Sequence, residues 1–143
     1  MDYRKWLHRD AALLVEKYSG EVDIDQLMLN AEQNLLEVKK QLIVPRILTD
    51  LREARFPDVN DEMVEMLMDP IDRYPEKAVG LKLALYIGAN YHSDFKKIFN
   101  YARLASQRKV SVVPFVNIND AFDWLGIATD EQRVICKQLN IEQ

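Results

Sequence analysis

Asp58, Asn60 and Asp61 crowd one turn, PDVND, between a short apolar run and a helical pattern. Carboxylate and amide side chains there can accept hydrogen bonds from the free N–H groups of a helix start, or present acceptors to a partner. Capping is the plainer role, and a recognition tip is compatible with it. A second cluster, Tyr91, His92 and Ser93, also follows an apolar run and precedes a helix, with Asp94 beside it. Serine next to histidine raises nucleophilic catalysis, which needs a third group to orient the imidazole. No such group is visible, and the other histidine, His8, lies in the opening segment. Ser93 therefore reads as a helix cap with His92 exposed, and as an alternative phosphoacceptor. Asn117, at the end of the last apolar run, completes this set of polar residues at strand exits.

Metal chemistry finds no support in the pattern. DID at Asp23 and DVND at Asp58 lack the glycine and distal glutamate of a calcium loop. The single cysteine, Cys136, excludes an intrachain disulfide and a multi-thiolate site. No catalytic residue, cofactor or metal is expected. Methionine side chains adapt to irregular contacts; Met63 and Met66 point away from the inward stripe and are candidate contacts for an apolar ligand or a second subunit. Asp50, Arg52, Glu53 and Arg55 alternate in sign and predict a solvated ion-pair cluster of little energetic weight.

A net charge of -4 and a pI near 5.2, with 19 scattered Lys and Arg, argue against a surface built for nucleic acid. At 143 residues, 48% hydrophobic and 29% charged, one globular core suffices. Charges interrupt the opening residues, so no secretory signal is read there, and no run approaches the ~20 apolar residues of a membrane span. With one cysteine, a reducing, bacterial-type cytoplasmic setting is the expectation.

The elements that must position these residues follow from period. Strands at 5–8 and 12–18, joined by 9–11, predict an antiparallel hairpin. Ile24, Leu27, Met28, Ala31, Leu35 and Val38 form a helical stripe, with Asp23 and Gln26 as a capping box. Pro45 ends that region, and a buried strand spans 46–51. A helix over 61–68 follows, capped by Asp58 or Asn60, with Val64, Leu67 and Met68 inward. Pro70 and Pro75 bracket a connection that is not regular helix. A strand at 81–87 closes at Gly88, and a helix from Ser93 turns Phe95, Ile98, Phe99, Ala102 and Ala105 to one face. The last strand, 110–116, carries Pro114 and so lies at an edge or ends there. Asn117 or Asn119 starts a helix bearing Ala121, Phe122, Trp124 and Leu125 and ending at Gly126. Thr129, with Gln132 three residues on, caps a terminal helix. The fold class is α/β: a mixed sheet with an antiparallel N-terminal hairpin, later strands mainly parallel, helices packed on it and an extra C-terminal helix. Residues 1–127 form the domain and 128–143 a helical tail.

In this order the segments YSGEV, DIDQL, ILTDLREARFPDVND, LKLALYI, HSDF and VVPFVNINDAFDWLG resemble, over residues 7–126, the SpoIIAA-like proteins of the STAS superfamily. The resemblance implies a single-domain SpoIIAA-like (STAS-like) sheet and a protein-binding regulatory role. The superfamily includes anti-sigma-factor antagonists in which a serine at the helix start after the central strand is phosphorylated to release a partner. Asn60 stands at that position here and takes no phosphoryl group. The implied function is a non-enzymatic module without that switch, binding a protein partner as a homodimer through Asp58, Asn60, Asp61, Tyr91, His92, Ser93 and Asn117. The branch is also similar in fold to CRAL-TRIO lipid-binding domains. That implies the alternative, a carrier or sensor of a lipid or other small hydrophobic ligand held between the sheet and the Met-rich second helix.

Overall fold

Five strands and seven helices order the described residues, 1–41, 46–89 and 92–142, in the computed structural model. Strands β1 (Asp2–His8) and β2 (Leu13–Glu21) pair antiparallel across a tight turn. Strands β3 (Arg46–Arg55), β4 (Lys82–Tyr86) and β5 (Ser111–Phe115) add in parallel, because helices intervene and return the chain to the same edge. The order in the sheet is β1-β2-β3-β4-β5, so Pro114 sits on an edge strand, where its missing N–H breaks no ladder. Helix α1 (Ile24–Gln41) follows β2; α2 (Asp61–Met66), α3 (Asp69–Arg73) and α4 (Pro75–Ala78) follow β3; α5 (Phe95–Ser106) follows β4; α6 (Ile118–Leu125) and α7 (Thr129–Gln138) close the chain. This is the mixed α/β arrangement expected above. Tyr91 and Pro45 lie outside the described residues, as does the side chain of Val38.

Strand alternation divides the core into two layers. Leu14, Tyr18, Ile47, Leu51, Leu83 and Leu85 face the helices α1 to α5. Leu13, Val15, Leu48, Ala84 and Tyr86 face α6 and α7, where they meet Phe122, Ile135 and Leu139. Both faces of the central strands are covered, which is why their sequences read as nearly unbroken apolar runs.

Local chemistry sets the helix starts. Asp23 Oδ1 accepts from the N–H groups of Asp25 (2.9 Å) and Gln26 (3.2 Å), but the Gln26 amide turns to Asn30 Oδ1 (2.9 Å), so only half of the expected capping box forms. Asn60 Oδ1 accepts from Met63 N–H at 2.9 Å and Asn117 Oδ1 from Asn119 N–H at 2.8 Å. Gly126, at φ 70°, takes the left-handed C-terminal position of α6. Four expectations need correction. Pro70 and Pro75 lie in the first turns of α3 and α4, where a missing N–H is harmless, so the connection is two short helices. Asp94, not Ser93, occupies the cap position of α5. Thr129 is the first residue of α7, behind Ala128, and gives no side-chain cap.

The fourth correction concerns charge. Because β3 continues past Leu51 to Arg55, Asp50 points into the α6/α7 layer and is fully buried, so the sign-alternating segment is solvated only at Glu53 and Arg55, where Glu53 pairs with Lys17 at 3.2 Å. Arg52 meets it with Nε at 3.0 Å and Nη2 at 2.9 Å, while Nη2 also donates to the Leu139 carbonyl at 2.8 Å. The guanidinium lies 4.9 Å from the Tyr86 ring centroid. Gly88, at φ +83°, makes room: a Cβ there would come within 3.1 Å of Arg52 Cγ. Removing one partner of a buried ion pair strands the other. Asp50→Ala is therefore expected to lose about 3–5 kcal/mol of stability, read from urea unfolding. A loss under roughly 1 kcal/mol, the size for an exposed pair, would contradict this account.

Candidate functional site

The loops after β3, β4 and β5 all leave the carboxyl ends of parallel strands, the edge at which open α/β sheets receive ligands. Asp58, Asn60 and Asp61 are exposed on the first loop and helix start, Ser93 on the second and Asn117 on the third. His92, expected at the surface, is buried. Its Nε2–H donates to the Leu51 carbonyl at 2.8 Å, and Nδ1 accepts the Asp94 N–H at 3.1 Å. Asp94 Oδ2 in turn accepts the Phe56 N–H at 2.9 Å, and Oδ1 lies 3.3 Å from Lys97 Nζ, which also donates to the Phe56 carbonyl. These bonds tie the β3–α2 loop to the β4–α5 loop. They also occupy both imidazole nitrogens, leaving neither to act as a base toward Ser93.

Sequence reasoning missed a second polar group, inside the molecule. Glu16, on β2, is buried beneath α1. Its Oε2 accepts from Tyr3 Oη (2.8 Å) and Asn34 Nδ2 (2.7 Å), and its Oε1 accepts from Thr49 Oγ1 (2.8 Å). Asn30 Nδ2 donates to Tyr18 Oη at 3.3 Å nearby. The signal lay in phase. Glu16 falls between Leu14 and Tyr18 on the same strand face, and Asn30 and Asn34 interrupt the Leu27, Ala31, Leu35 stripe of α1. Polar residues at core positions mark either an error or a network. Burial raises the Glu16 carboxyl above the usual glutamate range, against the pull of its three donors.

The same face holds a cavity of about 130 Å³ between the sheet and helices α1, α2, α3 and α5. Its wall is mostly carbon, and its polar atoms come from Glu16, Tyr18, Asn34, Thr49, Lys97 and Tyr101. Val64 of α2 and Leu67 just past its end line it. Met63 packs half-buried against the core and Met66 is 48% exposed; neither lines the cavity. Cys136 is buried in the other layer and burial pushes its thiol up, which disfavours the reactive thiolate. Among the described residues no group of His, Cys, Asp and Glu is placed to hold a metal ion, and no helix is long and apolar enough to cross a membrane.

The raised carboxyl has a definite sign. A folded-state pKa above the unfolded value, about 4.3, means that the fold favours the protonated form; this contribution is full below that value and fades as pH rises through the folded pKa. Measured by urea midpoints, the stability of wild type relative to Glu16→Gln should therefore fall between pH 4.5 and pH 8. A difference independent of pH would show that Glu16 titrates as an ordinary glutamate.

Comparison with models of known families finds no match, and comparison with curated proteins finds none. Among solved structures, the chain is similar to the anti-sigma factor antagonist SpoIIAA in its unphosphorylated form, at 12% sequence identity and a TM-score of 0.46, over 90% of this chain and 100% of that one.

Proposed function

We propose that this protein is a non-enzymatic binding module that contacts a protein partner through the rim at the carboxyl ends of its parallel strands. The observation that carries this reading is the division of labour at the rim. His92 and Asp94 are spent bracing the loops, while Asp58, Asn60, Asp61 and Asn117 remain exposed on the rigid scaffold that results. Loops held by a rigid sheet are where recognition residues concentrate. Asn60 in place of a serine hydroxyl leaves the α2 start without a phosphoacceptor, so partner release in this reading does not run through phosphorylation there. Ser93 is an exposed hydroxyl on the neighbouring loop. The working form is a homodimer in a reducing, cytoplasmic setting, which the single buried Cys136 suits.

A second reading, carriage of a lipid or other small apolar ligand, is favoured by the cavity beneath α2. Pockets of this kind are mostly carbon-lined with a few convergent polar groups.

Two measurements test the first reading. Asn60→Arg should reduce recovery of the partner in affinity capture from native lysate several-fold. Asn60→Asp, which keeps the capping oxygen, controls for the ~1 kcal/mol a lost cap removes. Equal recovery with all three proteins would end the claim for the rim. Light scattering on a size-exclusion column should give twice 16.7 kDa; a monomer at micromolar concentration would remove the homodimer.

A further inference from the structure

Bonded groups on the wall of the cavity fix the spacing of the elements around it. Asn34 Nδ2 on Glu16 Oε2 at 2.7 Å, and Asn30 Nδ2 on Tyr18 Oη at 3.3 Å, hold α1 to the sheet. Lys97 of α5 meets Asp94 Oδ1 at 3.3 Å and donates to the Phe56 carbonyl, which holds α5 to the loop after β3. Most of the remaining wall is carbon, with Leu27, Leu35, Leu83, Leu85, Ile98 and Val110 among its residues. Unfilled space in such a wall lowers stability in proportion to its volume, and a guest of matching shape recovers the lost contacts. Two comparisons set the size of that guest. The volume, about 130 Å³, is well below the roughly 300 Å³ at which pockets for drug-sized ligands begin. It is close to that of a carbon-lined cavity that takes up one benzene molecule, roughly 150 Å³. Nothing on the wall calls for a charged guest: among the described residues every buried polar side-chain atom has a hydrogen-bond partner, and the lining cation Lys97 is already engaged.

We propose that the cavity is a binding site for one small uncharged molecule the size of a single hydrocarbon ring, lying against Leu83, Leu85 and Ile98. A long acyl chain exceeds the volume, and a carboxylate head would give up its water with no cation on the wall free to meet it. Both points separate this ligand from a fatty acid or membrane lipid. The inference rests on the apolar-ligand reading and narrows it from lipids in general to single uncharged rings.

Calorimetric titration of the full chain with benzene, benzoate and oleate tests it, with Ala31→Leu as the variant, since Ala31 lines the cavity from α1 and leucine there takes up part of the space. The expected result is saturable benzene binding, with benzoate and oleate weaker by roughly tenfold or more, and a similar loss of benzene affinity in Ala31→Leu. Benzoate bound as tightly as benzene overturns the uncharged class, and oleate bound in preference to benzene overturns the size limit; in either case the apolar-ligand reading stands. Failure of all three probes to bind overturns both. Benzene affinity unchanged in folded Ala31→Leu places the molecule elsewhere and overturns the site. Should Ala31→Leu not fold, nuclear Overhauser contacts in wild type between benzene and the methyl groups of Leu83, Leu85 and Ile98 decide instead: their presence supports the site and their absence overturns it.

Discussion

The Glu16 carboxylate, buried in the middle of β2, can exist there only because three other elements bring donors to it. Tyr3 comes from β1, Thr49 from β3 and Asn34 from α1. Each donor arrives only if the hairpin, the parallel β2–β3 pairing and the crossing of α1 have their observed register. A slip of one residue would carry Glu16 to the opposite layer, among Phe122 and Ile135 and away from Tyr3, Asn34 and Thr49. Burying a carboxyl group without hydrogen-bond partners is costly whether or not it is ionised, so alternative registers are disfavoured more strongly than apolar packing alone would ensure. On the opposite layer Asp50 and Arg52 act similarly, and Arg52 extends the constraint to α7 through the Leu139 carbonyl.

Hydrogen bonds at the helix–sheet junction also bear on the cavity. Asn30 and Asn34 hold α1 to Tyr18 and Glu16 at fixed bond lengths. Where such bonds set the spacing, neighbouring apolar side chains cannot simply collapse to close a gap, as they do in an all-carbon core. The other layer also has such bonds, from Arg52 to Asp50 and the Leu139 carbonyl and from His8 to Glu131 and Gln138, and it buries Leu13, Phe122, Ile135 and Leu139 completely.

At the rim, rigidity and reactivity draw on the same groups. His92 and Asp94 have the residue types of a proton-transferring pair, yet both are committed to backbone atoms of the preceding loop and strand. That commitment joins Leu51 and Phe56 to His92 and Asp94 and leaves the amide and carboxylate side chains of Asp58, Asn60, Asp61 and Asn117 exposed at the same edge.

The order of strands and helices, the capping roles of Asp23, Asn60 and Asn117, the edge position of Pro114 and the helix end at Gly126 were legible in the chain, because each depends on residues within a few positions of one another. The cap at Ser93 and the exposure of His92 were misread for the opposite reason: His92 and the cap residue Asp94 meet Leu51 and Phe56, some forty positions away. The same holds for Asp50, whose burial depends on α7 folding back over β3. Glu16, Asn30 and Asn34 left a trace in phase, but phase reveals only that a polar side chain points inward, not which donor will meet it. The sequence alone therefore determined the periodicity and the local caps, since these are written in near-neighbour spacing. Only the tertiary structure decided which charges are buried, which histidine nitrogens are spent and where a cavity opens, since these arise when segments remote along the chain are brought to hydrogen-bond distance.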